Sequence, residues 1–239
     1  MISSTVRSMQ NLFVITALCV SFSARTHAQT TIGAAQTTSV GPFTRAASGF
    51  QSFGQSFTVP TLAPRLSSFS LSFTNFFNGA ALKFDAYLYA FDAANRRVTG
   101  SALWNALNIV GSSNDFGFDT RTFAMGDLTL SPGTLYLFLL TASNQSGVPT
   151  DAANLVGAND ADAYAGGSFW ISSNGANTAA LFTAGAFSPV DGVSDASFSA
   201  TFLASQQVVP EPSVLWLSGF GVTVLLLFMR LRPRSGSQK

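Results

Sequence analysis

The sequence predicts an all-β domain, a two-sheet β-sandwich of jelly-roll-like kind, on three observations. Between Gln29 and Val209 the helix formers glutamate and lysine are almost absent, with no Glu and a single Lys83, while Phe, Ser, Thr, Gly and Asn abound. Apolar and polar residues alternate with a period of two over several short runs, as in strands with one buried face. Gly, Asn and Pro turns separate those runs often enough for about eight to ten strands, the count of a sandwich.

Taken in order, residues 29–48 are rich in Thr, Ala and Gly and carry little apolar pattern, so they read as a loose N-terminal arm or a first edge strand, ahead of a sandwich domain over 49–205. Phe53, Phe57 and Val59 alternate with Ser52, Gly54, Ser56 and Thr58, and Phe69, Leu71 and Phe73 with Ser68, Ser70, Ser72 and Thr74. Phe84 to Phe91 is a longer strand, closed by the polar turn Asp92 to Arg97, after which Val98 to Trp104 returns as a hairpin partner. The stretch from Phe116 to Leu130 holds one or two strands. Ser131-Pro132-Gly133 is a turn in which proline presets φ and glycine supplies a positive φ. It introduces Leu135 to Thr141, whose nearly unbroken apolar run marks a central strand. Residues 148–167 read as a long surface loop, Gly166 to Ser172 as a further strand, and Phe198, Ala200 and Phe202 as the closing one.

Composition excludes several chemistries. The single cysteine, Cys19, and the single histidine, His27, both precede Gln29, so the segment 29–209 offers no imidazole base, thiol nucleophile, disulfide, or His or Cys metal ligand. Six basic residues against ten aspartates give that segment a net charge of −4, which argues against nucleic acid and anionic lipid as partners.

Three sets of residues are candidates for chemistry. Asn159, Asp160 and Asp162, with Asn154 and Tyr164 near them, are hard oxygen donors of the kind calcium takes. Without an acidic residue closing a twelve-residue loop, they better suit a solvated turn whose Asn and Asp cap their own backbone. Asp85 with Asp92, and Asp115 with Asp119, are carboxylate pairs, but a glycosidase needs two carboxyls roughly 5 to 9 Å apart on one sugar, and nothing in the spacing brings these together. No catalytic residue is assigned. Tyr87 and Tyr89 lie on the opposite strand face from Ala86 and Leu88. If the smaller residues face the core, the tyrosines form a platform beside Lys83 and Asp85 on which a sugar stacks; large rings more often turn inward.

The chain is bracketed by two apolar segments. Residues 1–28 carry Arg7, a short apolar core from Leu12 to Val20, and small residues at Thr26-His27-Ala28, the pattern of a secretory signal peptide cut before Gln29. At the other end, a linker over 206–213 contains Pro210-Glu211-Pro212, an uncharged apolar run spans 214–229, and a basic tail over 230–239 begins with Arg230, Arg232 and Arg234. Nine strongly apolar residues at roughly 0.3 to 0.6 kcal/mol each favour insertion of that run. At about 1.5 Å rise per residue it reaches about 24 Å against a hydrocarbon core of about 30 Å, a length that suits a transient span. The arginines keep the tail in the cytoplasm and the domain outside.

Pro-Glu-Pro, a short apolar helix and an Arg-rich end, in that order, resemble the PEP-CTERM sorting signal of exported proteins in Gram-negative bacteria that make extracellular polysaccharide. The resemblance covers only about the last 30 residues, and Leu231 and Pro233 interrupt its basic cluster. It implies export through the Sec translocon, cleavage by signal peptidase, an inner-membrane single-pass intermediate, and recognition by an exosortase. The destination is then the cell surface or extracellular matrix, with exopolysaccharide or biofilm as the surroundings. Beside this non-enzymatic reading stand a carbohydrate-binding module acting on the cell's own polysaccharide and, least favoured, an Asp-dependent glycoside hydrolase.

Overall fold

A computed structural model describes residues 28–75, 81–113, 117–145 and 152–205. The signal segment up to His27, Asp115, the Pro210-Glu211-Pro212 motif, the apolar run and the basic tail lie outside the described residues.

The described chain is all-β, with two antiparallel sheets packed face to face. The first sheet comprises β1 (Gln29–Ala34), β2 (Thr38–Thr44), β4 (Arg65–Asn75), β7 (Asp119–Thr129), β9 (Ala153–Asn159), β12 (Asp195–Ala196) and β13 (Phe198–Leu203). The second runs in the order β11 (Ser188–Pro189), β10 (Phe169–Ser172), β3 (Ser52–Thr58), β8 (Leu135–Thr141), β5 (Lys83–Asp92), β6 (Arg97–Val110). β13 lies between β1 and β4, with Gln29 opposite Leu203 and Phe198 opposite Leu71, so the last described strand completes the sheet from within.

The period-two pattern sets which residues meet between the sheets. On β4, Phe69, Leu71 and Phe73 turn inward, while Ser70 and Ser72 face out and pair their hydroxyls with Thr122 and Thr120 of β7 at 2.9 and 3.3 Å. Phenylalanines fill the interior: Phe69 stacks on Phe138 with ring centroids 4.2 Å apart and planes at 14°, and Phe57 meets Phe202, Phe73 meets Phe84, and Phe43 meets Phe53. Burying such a side chain is worth about 1.5–3 kcal/mol, and in a segment without disulfides this packing carries the stability.

Two expectations are corrected. Residues 29–48 are no loose arm; the edge-strand alternative is the one found, with β1 at the edge of the first sheet beside β13, and β2 adds a second strand on β9. The stretch 148–167 is not one long loop either, because β9 runs through it between β2 on one edge and β4 and β12 on the other. Its Ala, Gly and Asn content hides the strand, and pairing along both edges outweighs weak β-propensity.

The second sheet is also covered on its outer side. A short 3-10 helix, Thr178–Phe182, and the chain after it lay Leu181 and Phe187 against Phe91, Val98, Leu137 and Leu139. Gly185 N–H donates to Asn95 O at 2.8 Å and Phe187 N–H to Arg96 O at 3.1 Å, pinning this cover to the β5–β6 turn. The unbroken apolar run of β8 is thereby explained, since both its faces are buried.

Candidate functional site

The outer face of β5 is the described surface with the most to offer a ligand. Phe84, Ala86 and Leu88 are buried between the sheets, so strand alternation turns Lys83, Asp85, Tyr87, Tyr89 and Phe91 outward. The cover reaches Phe91 and stops at Tyr89, whose ring meets Phe182 edge-on at 5.5 Å. Tyr87 and Tyr89 are half-buried, their rings 5.8 Å apart and inclined by 34°. Asn105 of β6 sits directly opposite Tyr87 and is exposed, as is Lys83.

Asp85 anchors this face. It is buried and accepts Asn108 N–H at 2.9 Å, Gln145 Nε2–H at 2.7 Å and the Tyr87 hydroxyl at 3.4 Å. Asn108 stands in the left-handed region, φ 56°, where β6 places an extra residue opposite β5, and Asp85 holds that bulge. Burial, then the neighbouring Asp85 charge, raises the Tyr87 phenol above its ordinary value, and burial alone raises Tyr89. Both phenols stay neutral well beyond physiological pH.

Asp85 and Asp92 do not form a catalytic couple, and Asp115, the partner proposed for Asp119, lies outside the described residues. Asp85 and Asp92 stand near opposite ends of β5, roughly 23 Å apart at about 3.3 Å per residue. Asp92 accepts from Asn95 and Arg97, and the Asn95 bonds hold its carboxyl below the usual range. Asp119 opens β7 and accepts Ser112 Oγ–H at 2.6 Å.

Of the calcium candidates, Asn159 and Asp160 are engaged with hydrogen-bond partners of their own. Asn159 ends β9, donating Nδ2–H to Ala35 O at 2.5 Å and accepting Ala161 N–H at Oδ1. Asp160 Oδ1 accepts the Thr37 hydroxyl at 2.7 Å, which lowers its carboxyl, and Asp162 is exposed. Asn154 lies buried within β9, bonding the Thr74 and Ser112 carbonyls. Asn159 and Asp160 thus tie their loop to the β1–β2 connection. Among the described residues no group of three or more His, Cys, Asp or Glu side chains stands together as a metal site.

The polar centre that the sequence did not disclose is Asp195. Its carboxylate is fully buried, accepting Gln55 Nε2–H at 3.0 Å and Tyr164 N–H at 3.0 Å. Burial raises its carboxyl above the ordinary value, helped by the Asp162 charge and opposed by these donors. Only the register of β12 brings Asp195 to Gln55, and no local pattern signals that. Trp104 packs between Phe123 and Phe138 on the main core, whereas Trp170 joins the outer cluster beside Phe91 and donates Nε1–H to Ser56 Oγ.

No protein-family model and no curated protein matches the chain. Among solved structures it is similar to the cysteine protease and lectin-like domains of Cwp84, a surface layer associated protein of Clostridium difficile, at 11% identity and a TM-score of 0.40, covering 64% of this chain and 32% of that one. A second Cwp84 structure, of the clostridial cysteine protease after propeptide cleavage, gives 10% identity and a TM-score of 0.47, covering 74% and 40%. T=1 particles derived from infectious bursal virus give 13% identity and a TM-score of 0.32, covering 87% and 48%. The chain thus spans less than half the length of these proteins, and likenesses this distant transfer neither activity nor ligand.

Proposed function

We propose that this is an exported, non-enzymatic surface or extracellular-matrix protein of the PEP-CTERM kind, a jelly-roll-like sandwich associated with exopolysaccharide. On this reading the Sec translocon and signal peptidase deliver the domain. The apolar run 214–229 holds it in the inner membrane with Arg230, Arg232 and Arg234 in the cytoplasm, and an exosortase then acts at Pro210-Glu211-Pro212.

The observation that carries this reading is the order of motif, uncharged run and basic cluster. The domain geometry is compatible with both cuts. A cut before Gln29 leaves β1 whole, and residues 204–209 separate the end of β13 from Pro210, so removal of the motif together with residues 213–239 takes no described strand away. The lack of His and Cys after residue 28, and the distance between Asp85 and Asp92, favour a non-enzymatic role.

Mass spectrometry of the mature protein from its native host tests the reading. The expected product starts near Gln29 and ends before Val214. An intact chain running through Lys239 in the extracellular fraction would overturn exosortase processing.

A further inference from the structure

We propose that Tyr87 and Tyr89, with Phe182 as an edge wall and Asn105 as a flanking amide, form a binding platform for a neutral pyranose polymer. The proposal rests on the surface-protein reading above and supplies its missing contact with polysaccharide.

A pyranose presents a patch of axial C–H groups on its face and hydroxyls around its rim. Recognition therefore calls for exposed ring faces beside neutral donors and acceptors. The two tyrosines, at i and i+2 on one strand face, set adjacent rings 5.8 Å apart with a 34° inclination, so that successive sugars of one chain meet successive rings. Phe182 stands at 90° to Tyr89 and is 38% exposed, bounding the platform on the side of the cover.

The ring positions are fixed before any ligand arrives. The Tyr87 hydroxyl is engaged by Asp85 and by the Asn144 side chain, and Asp85 is itself held by Asn108 and Gln145. A ring locked in this way loses little freedom on binding, which favours affinity. Asn105 is uncharged, exposed and cross-strand from Tyr87, and cross-strand partners share a face, so its amide is offered to sugar hydroxyls beside that ring.

The charge balance selects a neutral polymer. Lys83 is the one cation of β5, the Asp85 carboxylate is buried beneath Tyr87, and the segment 29–209 carries −4 overall. A polyuronate would meet a mildly repulsive surface. The exposed Leu103 and Leu107 of β6 add apolar area at the same edge of the sheet.

The test is affinity electrophoresis of the full chain in a zwitterionic detergent, through gels containing hydroxyethylcellulose, laminarin or alginate. The expected result is retardation by a neutral glucan and none by alginate. Tyr87→Ala or Tyr89→Ala should weaken it by about tenfold or more, the usual effect of removing an aromatic anchor. Asn105→Ala, an exposed change that leaves the packing alone, should weaken it by a smaller factor with an unchanged melting temperature. Equal mobility in plain and neutral-glucan gels, retardation by alginate alone, or retardation that survives all three substitutions would overturn the platform. Host processing is read separately: a retarded chain that is never cleaved removes the sorting proposal and leaves the platform, and a cleaved chain without retardation does the reverse.

Discussion

Gln55 and Asp195 join the two sheets through the middle of the sandwich. Gln55 faces inward from β3, its Nε2–H donating to Asp195 Oδ1 at 3.0 Å while its Oε1 accepts Ala196 N–H at 2.7 Å. A phenylalanine-filled interior is non-directional and tolerates sliding of one sheet over the other. A pair of bonds from one amide to one two-residue strand fixes β12, and through it the start of β13, in a single register.

Gln55→Ala removes both bonds and leaves a buried carboxylate with one donor fewer. A loss of about 3 kcal/mol in urea unfolding is expected, since the bond to the Asp195 carboxylate is worth about 1.5–3 kcal/mol and the neutral bond from Ala196 N–H about 0.5–1.5 kcal/mol. Gln55→Glu keeps the shape but sets a second carboxylate against the first. It should cost more than Gln55→Ala at about pH 7 and recover as protonation relieves the repulsion toward about pH 4.

The same burial gives Asp195 a defined pH signature. Its carboxyl is raised above the ordinary 3.8, so the folded chain keeps this proton to higher pH than the unfolded chain. Stability from the group is therefore full below the unfolded value and is lost as pH rises through the folded one. The cost of Asp195→Ala relative to the natural chain should be largest near pH 4 or below and shrink above it. Asp92 and Asp160, both lowered, act in the opposite sense: their stabilisation is present above the unfolded value and lost as pH falls through the folded one. Both chains share that background, so comparing their unfolding across pH isolates Asp195. A cost that grew with pH would show that the donors, not burial, control this carboxyl.

Legibility in the sequence followed local pattern. The strands around Phe53, Phe69, Phe84, Leu135 and Phe198 could be read because their alternation is strict or their apolar run unbroken. β2 and β9 could not: the Gly41-Pro42 step interrupts the first, and the second, Ala153–Asn159, sets only Leu155 and Val156 among Ala, Gly and Asn, too short an apolar pair to signal a strand. Alternation placed Tyr87 and Tyr89 on the face opposite Ala86 and Leu88, but which face is outer was open, and the inward turn that large rings more often take is not the one found. The places of Asn105 and Phe182 were not legible, because one needs the β5–β6 register and the other a 3-10 helix some ninety residues along the chain.

Asn154 illustrates a contact that only the tertiary structure creates. From β9 its Nδ2 donates to Thr74 O and Ser112 O, both at 2.9 Å, while its Oδ1, without a hydrogen-bond partner among the described residues, lies over Gly111. A Cβ on Gly111 would collide with that oxygen and stand 3.1 Å from Leu82 O. Gly111→Ala should thus cost about 1–3 kcal/mol through overpacking, and Asn154→Ala about 2 kcal/mol through the loss of two buried hydrogen bonds of roughly 0.5–1.5 kcal/mol each. In the double variant the Gly111 penalty should largely vanish, a coupling that a thermal-unfolding mutant cycle detects.

The place of β13 makes truncation informative. Because it lies between β1 and β4, a chain ending at Ser205 keeps every described strand, whereas a chain ending at Ser197 exposes the inner edges of both neighbours. The first should resist limited proteolysis as the full chain does. The second should be degraded as an unfolded chain is. Equal resistance of the two would mean that β13 is dispensable.

The outer cover should behave as a second core. Phe187 is fully buried, meets Phe91 edge-on at 5.8 Å and shares its cluster with Leu181, Leu137 and Leu139. Truncating it opens a cavity between sheet and cover, and Phe187→Ala should cost about 3–5 kcal/mol, as in a main core. Phe182, whose ring is 38% exposed, leaves no comparable void. Phe182→Ala should therefore cost under about 1 kcal/mol, in the range of a surface change. Chemical denaturation of the two variants separates a covered sheet from a loosely draped one. If both losses are small, the 178–187 segment lies on the sheet without stabilising it, and Tyr89 gains no fixed wall from Phe182.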